Sequence, residues 1–168
     1  MASAVPLRAL IMDSSPDTLD LLRQYLEFQG IEVETCNLGR LRREGVDVAA
    51  EIAHADPDVV VFDIALPYDV NWDLCAALQR DPRVRAPFVL TTTNRAALER
   101  LTSARDAIEI LGKPYDLEHF AAAVRNAARR RDEAPPDSGD APPADARRGL
   151  DRRVGDRRRE ERRRRSSS

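Results

Sequence analysis

Along this chain, short runs of branched apolar residues alternate with stretches where leucines return every three or four positions. Leu7-Arg8-Ala9-Leu10-Ile11-Met12 reads as a buried strand. Ser15-Pro16 then predicts a helix start, with Ser15 as N-cap and Pro16 in the first turn. Leu19, Leu22 and Leu26 recur at helical spacing beside Tyr25 and Phe28, and Gly30 stops that helix. Ile31 to Cys36 predicts a second strand. Residues 38–54 predict a charged helix that Gly45 could interrupt. Val59-Val60-Val61-Phe62 is apolar at every position, as a central parallel strand covered on both faces requires. Asn71 to Gln79 predicts a short helix, Phe88 to Thr92 a fourth strand, and Ala107 to Leu111 a fifth. Asn94 is placed to cap the helix after strand four. Asp116 is placed to cap a last helix whose Leu117, Phe120, Val124 and Ala128 share a face.

That makes five βα units of about 25 residues each. The expected class is α/β, a doubly wound five-stranded parallel sheet with helices on both faces. In such sheets the chemistry sits beyond the carboxyl ends of the strands. The residues at those ends are Asp13-Ser14-Ser15, Asp63 to Tyr68, Thr92 to Asn94, and Gly112-Lys113-Pro114.

Charge divides the chain of 168 residues. Residues 129–168 hold 14 arginines against 9 acids, and the remainder holds 13 basic against 20 acidic residues. An acidic body thus carries a basic tail. Pro135, Pro136, Pro142 and Pro143 mark the change, and Leu150 and Val154 are the only branched apolar residues after Val124. So little apolar surface does not offset the entropy of ordering. The expectation is a folded domain over 5–131 and a disordered Pro-rich linker and Arg-rich tail over 132–168.

In the tail, Arg147-Arg148, Arg152-Arg153, Arg157-Arg158 and Arg162-Arg163 recur every five residues. On a helix such pairs step by about 140° and spread around the cylinder, so no single basic face forms. A solvated charged tail is the first reading. Contact with a protein partner or the acidic body is the second, and weak, salt-dependent contact with nucleic-acid phosphates the third.

The longest apolar run near the middle is far too short to span a bilayer, and the start shows no leader pattern. Cys36 and Cys75 are too few for a disulfide framework or a cysteine zinc site, and read as small apolar residues. His54 and His119 read as surface helix residues and supply neither a His-rich metal site nor a hydrolase triad. These features point to a soluble cytoplasmic protein with no membrane association.

Taken together, Pro57-Asp58-Val59-Val60-Val61-Phe62-Asp63-Ile64-Ala65-Leu66-Pro67 and Gly112-Lys113-Pro114-Tyr115-Asp116-Leu117 form a specific pattern. An acid ends strand one, an Asp ends strand three, a hydroxyl ends strand four, and a Lys-Pro ends strand five. Over about residues 7–130 the chain resembles the response-regulator receiver domain of bacterial two-component signalling. The resemblance implies the flavodoxin-like (βα)5 fold. It implies that Asp63 is the phosphoacceptor and that Lys113 pairs with its carboxylate and then with the phosphoryl group. Thr92 would turn its hydroxyl to a phosphoryl oxygen. Asp13, Asp63 and the backbone carbonyl of Ala65 would hold Mg²⁺, a cation of hard oxygen ligands. A cis Lys113-Pro114 bond would aim the ammonium at the site.

Three departures stand out. Ser14 occupies the position of a second acid, which is expected to weaken Mg²⁺ binding unless Asp13 or Asp17 compensates. Ile110 stands where the family usually has an aromatic switch residue. Tyr68-Asp69-Val70-Asn71-Trp72 replaces a glycine turn, so Tyr68 or Trp72 could overhang the site, although Trp72 reads first as a packing residue.

The leading reading is a single-domain receiver without a following effector domain of the usual size. It would be no enzyme beyond its own phosphotransfer and dephosphorylation. It would take its phosphoryl group from a histidine kinase or phosphotransfer protein. Its output protein would be met on the surface of the fourth helix, fifth strand and fifth helix, where homodimers are also a family habit. A phosphorylation-independent pseudo-receiver that binds protein is the alternative, favoured by Ser14 and Ile110. A nucleic-acid-associated regulator acting through the tail is the third reading, and deleting the tail in a salt-dependent binding assay discriminates it.

Overall fold

The computed structural model describes residues 5–101 and 109–133. Its elements are β1 (Arg8–Asp13), α1 (Pro16–Phe28), β2 (Glu32–Asn37), α2 (Leu38–Glu44), α3 (Val48–Ala55), β3 (Val59–Ile64), α4 (Tyr68–Arg80), β4 (Phe88–Thr92), α5 (Arg95–Leu101), β5 (Glu109–Gly112) and α6 (Leu117–Glu133). The five strands form one parallel sheet in the order β2-β1-β3-β4-β5. This is the expected α/β doubly wound fold.

The local signals act through identifiable bonds. Ser15 Oγ accepts from Thr18 N–H and starts α1. Asn94 Oδ1 accepts from Ala97 N–H at the start of α5, and Asp116 Oδ1 accepts from both Glu118 and His119 N–H at the start of α6. Gly30 and Gly45 both have positive φ (77° and 64°), which glycine adopts without steric cost.

Gly45 divides the single helix expected over 38–54 into α2 and α3, each with its own cap, Asn37 and Asp47. The helix expected from Asn71 begins earlier, at Tyr68, because extended Pro67 serves as its N-cap and Asn71 N–H reaches the Pro67 carbonyl. Of the fifth strand expected over Ala107–Leu111, residues 107 and 108 lie outside the described residues, and the strand runs from Glu109. The Pro-rich linker and Arg-rich tail also lie outside them.

Strand alternation sorts the core into two layers. Leu10, Met12, Val60, Phe62, Ile64, Phe88 and Leu90 face a cluster completed by α2, α3, α4 and Leu98 of α5. Ala9, Ile11, Val59, Val61, Val89 and Leu111 face α1 and α6 through Leu22, Leu26, Phe120 and Val124. β3 is buried at all six positions, the outcome its unbroken apolar run predicts. Each large aliphatic side chain so buried contributes about 1.5–3 kcal/mol. β2, one of the two edge strands, exposes Glu32, Glu34 and Thr35 and so discourages further strand pairing. Among the described residues, no helix is long and apolar enough to cross a membrane.

Candidate functional site

Three strands deliver polar side chains to one face at one level. Asp13 follows Ala9 and Ile11 on the α1/α6 side of the sheet, and Asp63 follows Val59 and Val61 on the same side. Thr91 follows Val89 and is paired in register with Asp63. Lys113 follows β5 directly and reaches back over the strand ends, with its N–H on the Thr92 carbonyl. The Lys113–Pro114 peptide is cis, as is Leu66–Pro67.

The Lys113 ammonium sits between the two carboxylates, 2.8 Å from Asp63 Oδ1 and 3.0 Å from Asp13 Oδ2. The acid side chains are only 4% and 8% exposed, whereas that of Lys113 is 23% exposed. The cation therefore closes the solvent side of a buried acid pair. Asp13 Oδ1 also accepts from Ser15 N–H at 2.8 Å.

Burial pushes the Asp63 carboxyl up. Lys113 opposes that, Asp13 adds to it, and Thr91 lowers it, leaving a net rise above the ordinary carboxylate range. For Lys113, burial pulls downward but the bonds and charges of Asp63 and Asp13 outweigh it, so the ammonium is held above its ordinary value. Tyr115, stacked on Phe120, is pushed up to about 12, chiefly by burial.

The structure brings Asp13, Asp63 and Lys113 together, while the Thr92 hydroxyl is turned to Asn94 N–H. Thr91, not Thr92, donates its hydroxyl to Asp63 Oδ1, at 2.9 Å. Thr92 is fully buried on the other side of the pleat, pairs in register with Ile64, and accepts from Asn94 N–H through Oγ1. The triple threonine hides the choice between the two. Strand alternation on β4, once Val89 is placed toward α1 and α6, puts the Thr91 side chain on the Asp63 face.

Ser14 is exposed, and its backbone carbonyl accepts from Asn37 Nδ2. The Ala65 carbonyl accepts from Asn71 Nδ2 at 2.7 Å, and Asn71 Oδ1 accepts from the Arg42 guanidinium. Neither Asn71 nor Arg42 carries a signal in the sequence that ties it to this place. Tyr68 is half-buried, with its hydroxyl 2.9 Å from Thr93 Oγ1, so a strap joins α4 to the loop after β4. Trp72 packs against the core, and half-buried Ile110 lies against that same cluster. His54 and His119 are exposed, Cys75 is buried, and Cys36 is half-buried. A cavity of about 560 Å³ opens at the opposite end of the sheet beside Arg8, Gly30, Glu32 and Pro57, away from the acids.

Comparison with known proteins agrees with this geometry. The family model for the response regulator receiver domain matches residues 9–125. The chain is 30% identical over 130 residues to the transcriptional regulatory protein TrcR of Mycobacterium tuberculosis, covering 77% of this chain and 48% of that protein. It is 31% identical over 130 residues to the DNA-binding dual master transcriptional regulator RpaA of Synechocystis sp., covering 76% and 52%. It is 31% identical over 141 residues to the response regulator MprA of Mycobacterium sp. strain KMS, covering 83% and 57%. The chain thus spans about half the length of the curated relatives it matches.

Among solved structures, the CheY-like response regulator receiver domain protein from Methanospirillum hungatei superposes with a TM-score of 0.62 at 20% identity, covering 77% of this chain and 98% of that one. The receiver domain protein from Clostridium thermocellum gives 0.60 at 23% identity, covering 76% and 98%. These two likenesses show the fold. By the family match, the chain belongs to the response regulator receiver domain family.

That family is in general a non-enzymatic signalling domain of two-component systems. Its members are phosphorylated on an aspartate, bind Mg²⁺ at the acidic phosphorylation site, and interact with histidine kinases or phosphotransfer proteins. The donors present here suit such a cation in kind: two carboxylates, Asp13 and Asp63, and the Ala65 carbonyl are all hard oxygens. Ser14 contributes no charge, and among the described residues no group of three or more His, Cys, Asp or Glu side chains gathers.

Proposed function

We propose that this receiver accepts a phosphoryl group on Asp63 from a histidine kinase or phosphotransfer protein, and signals through a protein–protein surface. The observation that supports it most is the buried Asp63 carboxylate held at 2.8 Å from Lys113 beside Asp13. A carboxylate attacks phosphorus poorly unless the negative charge of the incoming group is neutralised. Lys113 and Thr91 both engage Oδ1, and among the described residues no hydrogen bond reaches Oδ2. Oδ2 is then the attacking atom. Its bond to phosphorus forms as the phosphorus–nitrogen bond of a phosphohistidine breaks, and the departing imidazole takes up a proton. The product is an acyl phosphate at Asp63.

Lys113 would exchange its contact with the carboxylate for one with a phosphoryl oxygen. Asp13, Asp63 and the Ala65 carbonyl would hold the Mg²⁺, which when bound supplies charge neutralisation on the phosphoryl oxygens. Movement of the loop after β4 would reach α5, β5 and α6, where Glu109 faces Arg130 and His119 at 3.7 and 4.0 Å. The reading entails a cytoplasmic site of action.

Incubating the full chain with acetyl phosphate, with and without Mg²⁺, and reading the intact mass tests this. One phosphoryl adduct that requires Mg²⁺ and is absent in Asp63→Asn is the expected result. A phosphorylation-independent protein-binding module is the second reading, favoured by exposed Ser14 and the hydrogen-bonded Ala65 carbonyl. No adduct, either from acetyl phosphate or from a panel of phosphorylated histidine kinases, selects it.

A further inference from the structure

We propose that Asn71, oriented by Arg42, sets the cation affinity of the acidic site by capping the Ala65 carbonyl. The inference rests on reading Asp13, Asp63 and that carbonyl as a divalent-cation site.

Asn71 is 3% exposed, although it stands in the first turns of α4. A buried amide is tolerated when its hydrogen bonds are made. Here Nδ2 donates to the Ala65 oxygen and Oδ1 accepts from Arg42, a residue of α2 that lies 29 positions earlier. The two partners dictate the orientation. A guanidinium has donors only and a backbone carbonyl has none. Turning the amide over would set its NH₂ against Arg42 and its oxygen against the Ala65 oxygen. Arg42 therefore acts as a positioning residue for Asn71.

The consequence for a cation is direct. The Ala65 oxygen already bears an N–H, whose positive end opposes a second positive charge on that atom. The guanidinium, two hydrogen bonds away, adds to the opposition and resists rotation of the amide. Ser14 withholds the negative charge that would compensate. The site is thus set toward weak cation binding by a side chain, and removing that side chain tightens it.

Mn²⁺, which takes the same oxygen donors, is the probe. Its affinity for the full chain is read by electron paramagnetic resonance of the free ion. Asn71→Ala keeps a helix-compatible residue and is expected to bind Mn²⁺ about tenfold more tightly, opposite in sign to the loss of about 10- to 100-fold seen when a partner that supports a metal's ligand is removed. Arg42→Met frees the amide and is expected to shift affinity in the same direction by a smaller factor. Tightening is a readout that loss of a structural contact would not produce.

Asp63→Asn is the control for the site. If it weakens Mn²⁺ binding while neither Asn71→Ala nor Arg42→Met tightens it, the inference falls and the cation site stands. If no variant and no wild-type protein shows Asp63-dependent binding, both fall. Should Asn71→Ala fail to fold by circular dichroism, Arg42→Met decides, because Arg42 is exposed and α2 keeps its buried Leu38 and Leu41.

Discussion

Thr91 donates its hydroxyl hydrogen to Asp63 Oδ1 over 2.9 Å, and the two residues are paired in register on adjacent parallel strands. The neighbouring Thr92 lies on the opposite face of the same strand and spends its hydroxyl on Asn94 N–H. The Thr91 bond stabilises the ionised form of Asp63. Thr91→Val is therefore expected to raise the Asp63 titration midpoint, and Thr92→Val to leave it in place while loosening the start of α5. Carbon-detected NMR titration of the Asp63 carboxyl checks both; equal shifts in the two variants would contradict the register argument.

Asp63→Asn is expected to stabilise the fold by about 1 kcal/mol at pH 7, because it removes a carboxylate whose burial, with the like charge of Asp13, outweighs its bonds to Lys113 and Thr91. The sign follows from linkage. Burial, with Asp13, raises the folded-state value of Asp63 above its ordinary one, so the folded chain holds this proton more firmly than the unfolded chain. The contribution of Asp63 is then most favourable at acid pH and declines as pH rises through that raised value. Urea unfolding at pH 7 and at stepwise lower pH should show the advantage of the variant shrinking toward acid.

Lys113→Met leaves Asp13 and Asp63 facing each other without a cation. With Lys113 partly open to solvent, a cost of about 2 kcal/mol at pH 7 is expected, below the full value for a buried pair. Lys113 titrates above its ordinary value in the folded state, so its contribution is complete below that ordinary value and is lost as pH rises through the raised one. Wild-type protein should lose stability in this alkaline range, and the Met variant should lack that component. Denaturation midpoints from pH 7 upward measure it.

Asp58 ties three elements together away from the site. Its Oδ2 accepts from Arg8 N–H at 2.8 Å, and its Oδ1 accepts from Arg131 of α6 at 3.2 Å. Asp58→Ala is expected to cost about 1.5 kcal/mol, the scale of a hydrogen bond to a charged group. Hydrogen exchange should show the largest loss of protection in the last turns of α6. Uniform loss across the sheet would argue against this anchoring role.

Much of the architecture was legible because its determinants are local. The unbroken Val59–Phe62 run could be satisfied only by burial on both faces. Ser15, Asn94 and Asp116 stand within three residues of the N–H groups they cap. Gly45 marked a break, but whether it bends one helix or ends it depends on Asn37 and Asp47, which cap the two pieces separately. The early start of α4 was hidden because Pro67 caps it through backbone geometry, with no side-chain bond to announce it. Asn71 stood in the sequence only as the first residue of an expected helix, since its partners are a backbone carbonyl and an arginine of another helix.

By itself the sequence determined the alternation of strands and helices, the two-sided burial of β3, and the presence of acids and a lysine after particular strands. Those follow from periodicity, caps and the order of residues along the chain. The tertiary structure alone decided that Thr91 rather than Thr92 meets Asp63, that one ammonium bridges Asp13 and Asp63, and that Asn71 and Arg42 reach the Ala65 carbonyl. Each depends on strand register or helix placement, where moving one residue along a strand sends a side chain to the other face. Composition and spacing do not encode that step; the packing of the two core layers against the sheet does.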